Sequence, residues 1–344
     1  MKRIGEHFHG WMYVIFALVT LCVFFACVSF GSVGIPLKDT VRVIIDAIRG
    51  VPSADSLKLA RSVIVPVRLP RVLCVALVGA SLALAGAAMQ GLLKNPLADG
   101  STLGVSSGAS LGAVIAIAFG ITFPKLPFAG TMVMAILFAL LSLLIILGLA
   151  YRLDCSLSTN TIILIGVIFS MFASSIMSIV ITFASDHIKS ITFWTMGSLQ
   201  GASYRNAAVL AATLLVCGTV LLLHARELNA FAVGEDNARQ IGVNVRRVRL
   251  VVLITVSCLI GVCVSIGGTI GFVGLVTPHM VRMITGPNHK RLLPASMFSG
   301  AVFLMLADLV ARTLLNPREL PIGVVTSIVG AVVFVFIYYR SRRR

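Results

Sequence analysis

The sequence predicts an all-α, polytopic membrane protein of about ten transmembrane helices. Three observations carry that expectation. The chain is 58% apolar and only 12% charged, its mean hydropathy is +1.03, and apolar stretches of about 20 residues recur along its length, each long enough to cross a hydrocarbon core. A soluble domain is roughly half apolar and a quarter charged, so this balance calls for a nonpolar solvent. The formal net charge is +16, but Lys and Arg stand in short clusters between apolar stretches. They form no stripe with interleaved aromatics, which argues for anionic headgroups and against nucleic acid. The seven cysteines lie mostly in apolar segments, with no C-x-x-C pair and no His at ligand spacing. They read as small core residues.

Spans are expected to begin near Trp11, Arg71, Leu103, Phe128, Thr159, Tyr204, Leu250, Thr269, Leu292 and Pro321. The first follows Lys2 and Arg3, and Phe24-Phe25-Ala26-Cys27 faintly resembles a lipoprotein cleavage site. The apolar run 11–30 is too long for the core of a signal peptide and suits an uncleaved span. Next comes an outer amphipathic segment at about 38–60, with Val41, Ile44, Ile45 and Ile48 on one helical face and Lys38, Arg42, Asp46 and Arg49 on the other. Such a helix lies in the membrane interface with a solvated charged face. Positive connectors at Lys94, Arg152, 226–249, 290–291 and 340–344 are retained on the cytoplasmic side, and an even span count leaves both termini there. Seven Lys or Arg lie in the long loop 35–71 on the other side, where the charge rule acts weakly.

Small residues recur every four positions at Gly79, Ala83, Ala87 and Gly91, then at Gly104, Gly108, Gly112, Ala116 and Gly120. Both sets make smooth ridges for close helix contact. Between them lies the polar, proline-containing interval Lys94-Asn95-Pro96-Leu97-Ala98-Asp99-Gly100, and a second interruption runs from Gly267-Gly268 through Pro278 to Pro287. Irregular backbone at membrane depth survives only where protein or a water-filled path satisfies it, so paired interruptions point to a translocation route.

No G-x-x-x-x-G-K-[ST] phosphate loop occurs, and no pair of His or carboxylates stands at catalytic or metal-ligand spacing in a connector. The chain is read as a translocation subunit, not an enzyme, with no catalytic, cofactor or metal residues of its own. Asp308 is the clearest intramembrane acid, and its spacing from Arg312 favours a helical ion pair over a proton site. His224 and His279 fall near span ends and support no catalytic role. The largest connector, 227–249, reads as two short helices: 228–233, a break at Gly234, Glu235 and Asp236 at the positive start of the second, Arg239 near its end and Gly242 as its stop. A capped helical pair suggests a rigid knob, a place for an external motor to push.

At this point the residues resemble a family, the permeases of ABC importers for iron siderophores, haem and cobalamin, known as type II ABC importers. The resemblance covers nearly the whole chain. It rests on RLPR at 68–71, GASLALAGAAMQGLLKNPLADGSTLGVSSGAS at 79–110, FWTMGSL at 193–199, LNAFAVGEDNARQIGVNVRRVR at 228–249, GFVGLVTPHMVR at 271–282, and ADLVAR followed by ELPIGVVTSIVGA up to Ala331. One departure is Gly100-Ser101, where the family commonly has Pro-Gly.

The resemblance implies a single transmembrane permease domain over 1–344, paired with an identical or homologous second permease, two cytoplasmic ATPase subunits that carry ATP and Mg, and an extracytoplasmic substrate-binding protein, all in the bacterial cytoplasmic (inner) membrane. It implies ATPase coupling through Leu228, Asn229, Gly234, Glu235, Asp236, Arg239 and Gly242, and binding-protein docking through Arg68, Arg71 and Arg312. A cytoplasmic gate is implied at Asn95, Leu97, Ser158, Thr159 and Asn160, and a short outer helix near 194–201. The expected cargo is a ferric siderophore or related metal chelate, with haem or cobalamin as the alternative. An ion-gradient-driven secondary transporter, which would make Asp308 a proton site, and a membrane sensor that only binds cargo are the rivals from other classes.

Overall fold

The computed structural model describes residues 10–31, 34–52, 54–100, 103–122, 129–155 and 158–342. Lys2, Arg3 and Ser101, and the last two arginines of the 340–344 cluster, lie outside them. The described residues form fifteen α-helices: α1 (Met12–Ser29), α2 (Leu37–Ile48), α3 (Lys58–Val63), α4 (Leu69–Leu92), α5 (Val105–Ala118), α6 (Ala129–Leu153), α7 (Thr159–Phe183), α8 (Ile188–Thr195), α9 (Tyr204–Leu223), α10 (Ala225–Val233), α11 (Glu235–Gln240), α12 (Val245–Gly267), α13 (Val273–Thr285), α14 (His289–Thr313) and α15 (Ile322–Arg342). Among the described residues, seven helices are long and apolar enough to cross a membrane, and α5 and the first part of α15 are shorter apolar helices. With α13 they make the ten expected crossings.

Helix starts follow local chemistry. Ser158, Ser203, Asn244 and Asn288 precede α7, α9, α12 and α14, and each side-chain oxygen accepts a backbone N–H from the first turn that follows. These caps satisfy donors that a helix leaves unpaired at its start.

α4 is the hub, packed against α14, α13, α12 and α9. Its small-residue ridge allows this. A Cβ on Gly79 would collide with the carbonyl oxygen of Gly300 in α14, and one on Gly91 with the His289 imidazole at the start of α14. The second ridge works the same way against α6, where Gly108 rests on Ser142 and Gly112 on the Met134 carbonyl. Close approach of this kind supplies packing and dispersion where lipid removes any hydrophobic drive between helices.

The outer segment differs from its expected face. Thr40, Val43 and Ile44 are the buried residues of α2, whereas Ile45 and Ile48 are 42% and 81% exposed. The helix therefore buries one edge of a wide apolar arc against its neighbours and leaves the other edge free, as suits an interfacial position. Of the cysteines, Cys27, Cys74 and Cys263 are buried, whereas Cys22 and Cys155 are exposed.

Candidate functional site: a cavity between two broken crossings

α5 has 14 residues and α13 has 13, or about 20 Å each at 1.5 Å per residue, too short for a hydrocarbon core of about 30 Å. The rest of each crossing is irregular backbone. The interval after α4 rises into the bundle until Gly100 packs on Ile260 of α12. The chain after α12 turns at Gly268, where φ is +68°, and runs back into the bundle, so that Phe272 packs beside Gly330 midway along α15. This second segment is stapled at its start: the Thr269 hydroxyl donates to the Thr195 carbonyl, and Ser198 N–H donates to Gly267 O at 2.8 Å. The short helix expected near 194–201 lies earlier, as α8 over Ile188–Thr195, and 196–201 are turns and loop that hold the re-entrant segment.

Both half-helices begin from a left-handed residue, Gly104 (φ +75°) and Phe272 (φ +67°), and neither start has a side-chain cap. Left-handed backbone is strained for phenylalanine, so surrounding packing must hold it. Ser106 and Ser107 of α5 and Gly274 and Leu275 of α13 line one cavity of about 430 Å³, whose other walls come from α4, α7 and α12. Two uncapped helix starts border that space, where the positive ends of their dipoles favour negatively charged groups while the Asp99 side chain, which also lines it, opposes them.

Pro278 has no N–H, so it cannot bond the Gly274 carbonyl four residues earlier. Gln90 of α4 fills that vacancy: its Nε2 donates to Gly274 O and Leu275 O, both at 3.2 Å. Its Oε1 accepts from Arg282 Nη2 at 3.1 Å. One buried amide therefore clasps both ends of α13. Sequence reasoning missed Gln90, although a glutamine in a small-residue helix facing a proline-broken one was a readable signal.

Of the expected gate residues, Leu97 lines the cavity and is 50% exposed. Asn95 shapes the turn before it, its Oδ1 accepting Leu97 N–H at 2.9 Å. Ser158, Thr159 and Asn160 lie at the start of α7, where Asp154 Oδ2 accepts from Ser158 N at 3.0 Å and from Thr161 Oγ1 at 3.3 Å. Each cluster is held by its own local bonds.

The connector forms a knob of α10 and α11. Gly234 separates them at φ +151°. At Gly242 (φ +86°) the bonds Gly242 N to Arg239 O and Val243 N to Ala238 O, both 3.0 Å, close a Schellman stop. The first helix starts at Ala225, three residues before the expected Leu228, and Leu228 and Phe231 are fully buried beneath it. Besides Leu228, two further coupling residues point inward. Glu235 pairs with the fully buried Arg249 of α12, and Asn229 reaches the start of α14. Asp236 and Arg239 stay on the surface, their charged atoms 3.8 Å apart.

The far end holds the three arginines expected on an outer docking face, and the structure corrects the exposure that role requires. Arg68, Arg71 and Arg312 are only 5%, 8% and 5% exposed. Arg71 donates from Nε and Nη2 to Asp308 Oδ1 at 3.1 and 2.9 Å, and from Nη1 to Glu319 Oε2 at 2.8 Å. Arg312 Nε lies 2.9 Å from Asp308 Oδ2, and its Nη2 donates to Cys27 O at 3.0 Å. Arg68 Nη1 donates to the carbonyls of Val28 and Ser29 at the end of α1. The reason is physical: buried guanidiniums have to be paired, and Asp308 with the α1 terminus supplies the partners.

Comparisons agree with this geometry. The FecCD transport family matches residues 18–340. An ABC transporter permease of Bacillus subtilis, YvrB, is 42% identical over 92% of this chain and 90% of its own length. The vitamin B12 import system permease BtuC of Vibrio vulnificus is 38% identical over 84% of this chain and 86% of its own. A metal-chelate type ABC transporter, solved in an inward-facing conformation, superposes with a TM-score of 0.85 at 31% identity, covering 96% of this chain and all of the other.

Proposed function

This chain belongs to the FecCD transport family and is a transmembrane permease subunit of an ABC importer, and on that premise we propose that it carries a ferric siderophore into the cell. Hydrolysis of ATP in such systems is carried by a separate chain. The observation that carries the cargo class is the cavity between the two broken crossings, whose uncapped helix starts suit the acidic groups that chelating cargo presents. Its volume of about 430 Å³ is smaller than such a chelate, which fits one wall of a path completed by a second permease.

In this reading the knob faces the cytoplasm against an ATPase, both termini lie on that side, and Leu97 with 158–160 closes the path there. The clustering of Arg226, Arg239, Arg246 and Arg247 around the knob supports that orientation. Binding-protein docking falls at the opposite end, where Glu319, with its side chain 32% exposed, is the accessible member of the arginine cluster. A partner carboxylate would have to replace Glu319 on Arg71. Alternation between the two openings is driven by closure of the ATPase pair, with no covalent chemistry on the cargo.

Cobalamin is the second reading, favoured by the 38% identity to a vitamin B12 permease. A strain deleted for this chain, assayed for uptake of radio-iron-labelled siderophores and of radiolabelled cobalamin, separates the two. Loss of siderophore uptake alone supports the first reading. Loss of cobalamin uptake alone replaces it with the second, and uptake of both at wild-type rates removes both.

A further inference from the structure

Among the described residues the knob meets the membrane-spanning helices at two polar junctions, the Glu235–Arg249 pair on α12 and an amide–imidazole cluster at the start of α14. Asn288 Oδ1 accepts from Lys290 N at 3.0 Å, which identifies that atom as an oxygen, and it accepts a second bond from Asn229 Nδ2 of α10 at 2.9 Å. The other amide atom of Asn229 is therefore its oxygen, and it accepts from His289 N at 2.8 Å and from His289 Nδ1 at 2.9 Å. A residue of the knob thus caps the first turn of α14 from outside that helix, taking a backbone donor that α14 leaves unpaired. The imidazole it grips is 3% exposed, and its Nε2 meets no hydrogen-bond partner among the described residues. That nitrogen presses on α4 where Gly91 leaves room, one residue from the Gln90 clasp on α13. At its far end α14 is held again, through Asp308 and Arg312 to α4 and α1.

We propose that Asn229 and His289 form the latch through which the knob moves the transport helices, so that α10 and α14 travel as one body and push α4 and the α13 clasp at the cavity wall. Asn229 is then a positioning residue that acts inward on α14, and its side chain is not part of the surface presented to the ATPase. This rests on the reading of the knob as the ATPase seat.

The test uses the full complex of permease, cognate ATPase and binding protein in proteoliposomes, with the cargo identified by the uptake assay as probe and with cargo moved per ATP as readout. N229A, which removes all three hydrogen bonds of Asn229, lowers that ratio about tenfold, and H289A, which removes the Nδ1 bond alone, lowers it by less, about threefold. The double variant is no worse than N229A, because the bond that H289A removes is one of those already lost in N229A. His289 is buried, so a loss there excludes loss of a direct ATPase contact. A crosslink between cysteines at 229 and 288, in a background lacking the exposed Cys22 and Cys155, leaves transport intact when oxidised. Should a variant fail to assemble, the crosslinked pair, which removes little packing, decides alone. A wild-type ratio in H289A, additive losses, or a crosslinked complex that hydrolyses ATP without moving cargo overturns the latch. A wild-type chain that recruits no ATPase overturns the coupling reading instead.

Discussion

Asp308→Asn is the substitution that most directly tests the far-end cluster. Asp308 is 1% exposed and stands between two guanidiniums, each with a charged contact near 3 Å. Removing one partner of a buried ion pair costs about 3–5 kcal/mol, because the remaining charge is left uncompensated. Here each arginine keeps one other acceptor, Glu319 for Arg71 and the Cys27 carbonyl for Arg312, and asparagine can still accept one bond. The lower end, about 3 kcal/mol, is therefore expected, more than a hundredfold in the folded ratio by the rule of about tenfold per 1.4 kcal/mol. The assay is thermal unfolding of the detergent-solubilised full chain, where the midpoint should fall by several degrees. Replacing all three members together by R71M, D308L and R312M should recover most of the loss, since the one charge it leaves without its partner, Glu319, has its side chain 32% exposed and reaches water. An Asp308→Asn chain with the wild-type midpoint would refute the structural role.

Gly79→Val should be lost from the membrane fraction, because its side chain meets the backbone of Gly300, whereas Gly148→Ala in α6, where nothing lies within 4 Å, should be neutral or stabilising by up to about 1 kcal/mol; expression and unfolding midpoint distinguish them. Gly242→Val forces a β-branched residue into φ +86°, a strain of about 1–2 kcal/mol, and should raise ATP consumed per cargo moved in proteoliposomes. Leu97→Ala should increase cargo leakage through the reconstituted complex without ATP, and cysteines at position 97 of paired subunits should crosslink in at least one nucleotide state; failure of both places the constriction elsewhere.

The ten crossings were readable because a single physical demand, about 20 apolar residues per hydrocarbon thickness, acts within each segment. The starts observed at Thr159 and Tyr204 coincide with those expected, since Ser158 and Ser203 cap them locally. The knob was readable for the same reason: Gly234, Gly242 and the charges between them act over a few residues. The small-residue ridges also announced close contact, though not that Gly79 would meet Gly300 or Gly91 would meet His289.

What the sequence left open were partnerships. Arg71 finds Asp308 across 237 positions, so an arginine that stands at a span end, where docking is a natural expectation, turns out to be paired inside the bundle. Asn229 finds His289 across 60, and that turns a residue of the coupling motif inward. The starts of α5 and α13 belong to separate interruptions, and their meeting at one cavity depends on how α4 and α12 pack between them. Hydrophobic thickness, capping and backbone conformation are local and are written into short windows of residues. Which buried charge or amide answers which other is set by the approach of helices distant in the chain, because in a low-dielectric interior each polar group has to be matched by whatever the packing brings within about 3 Å.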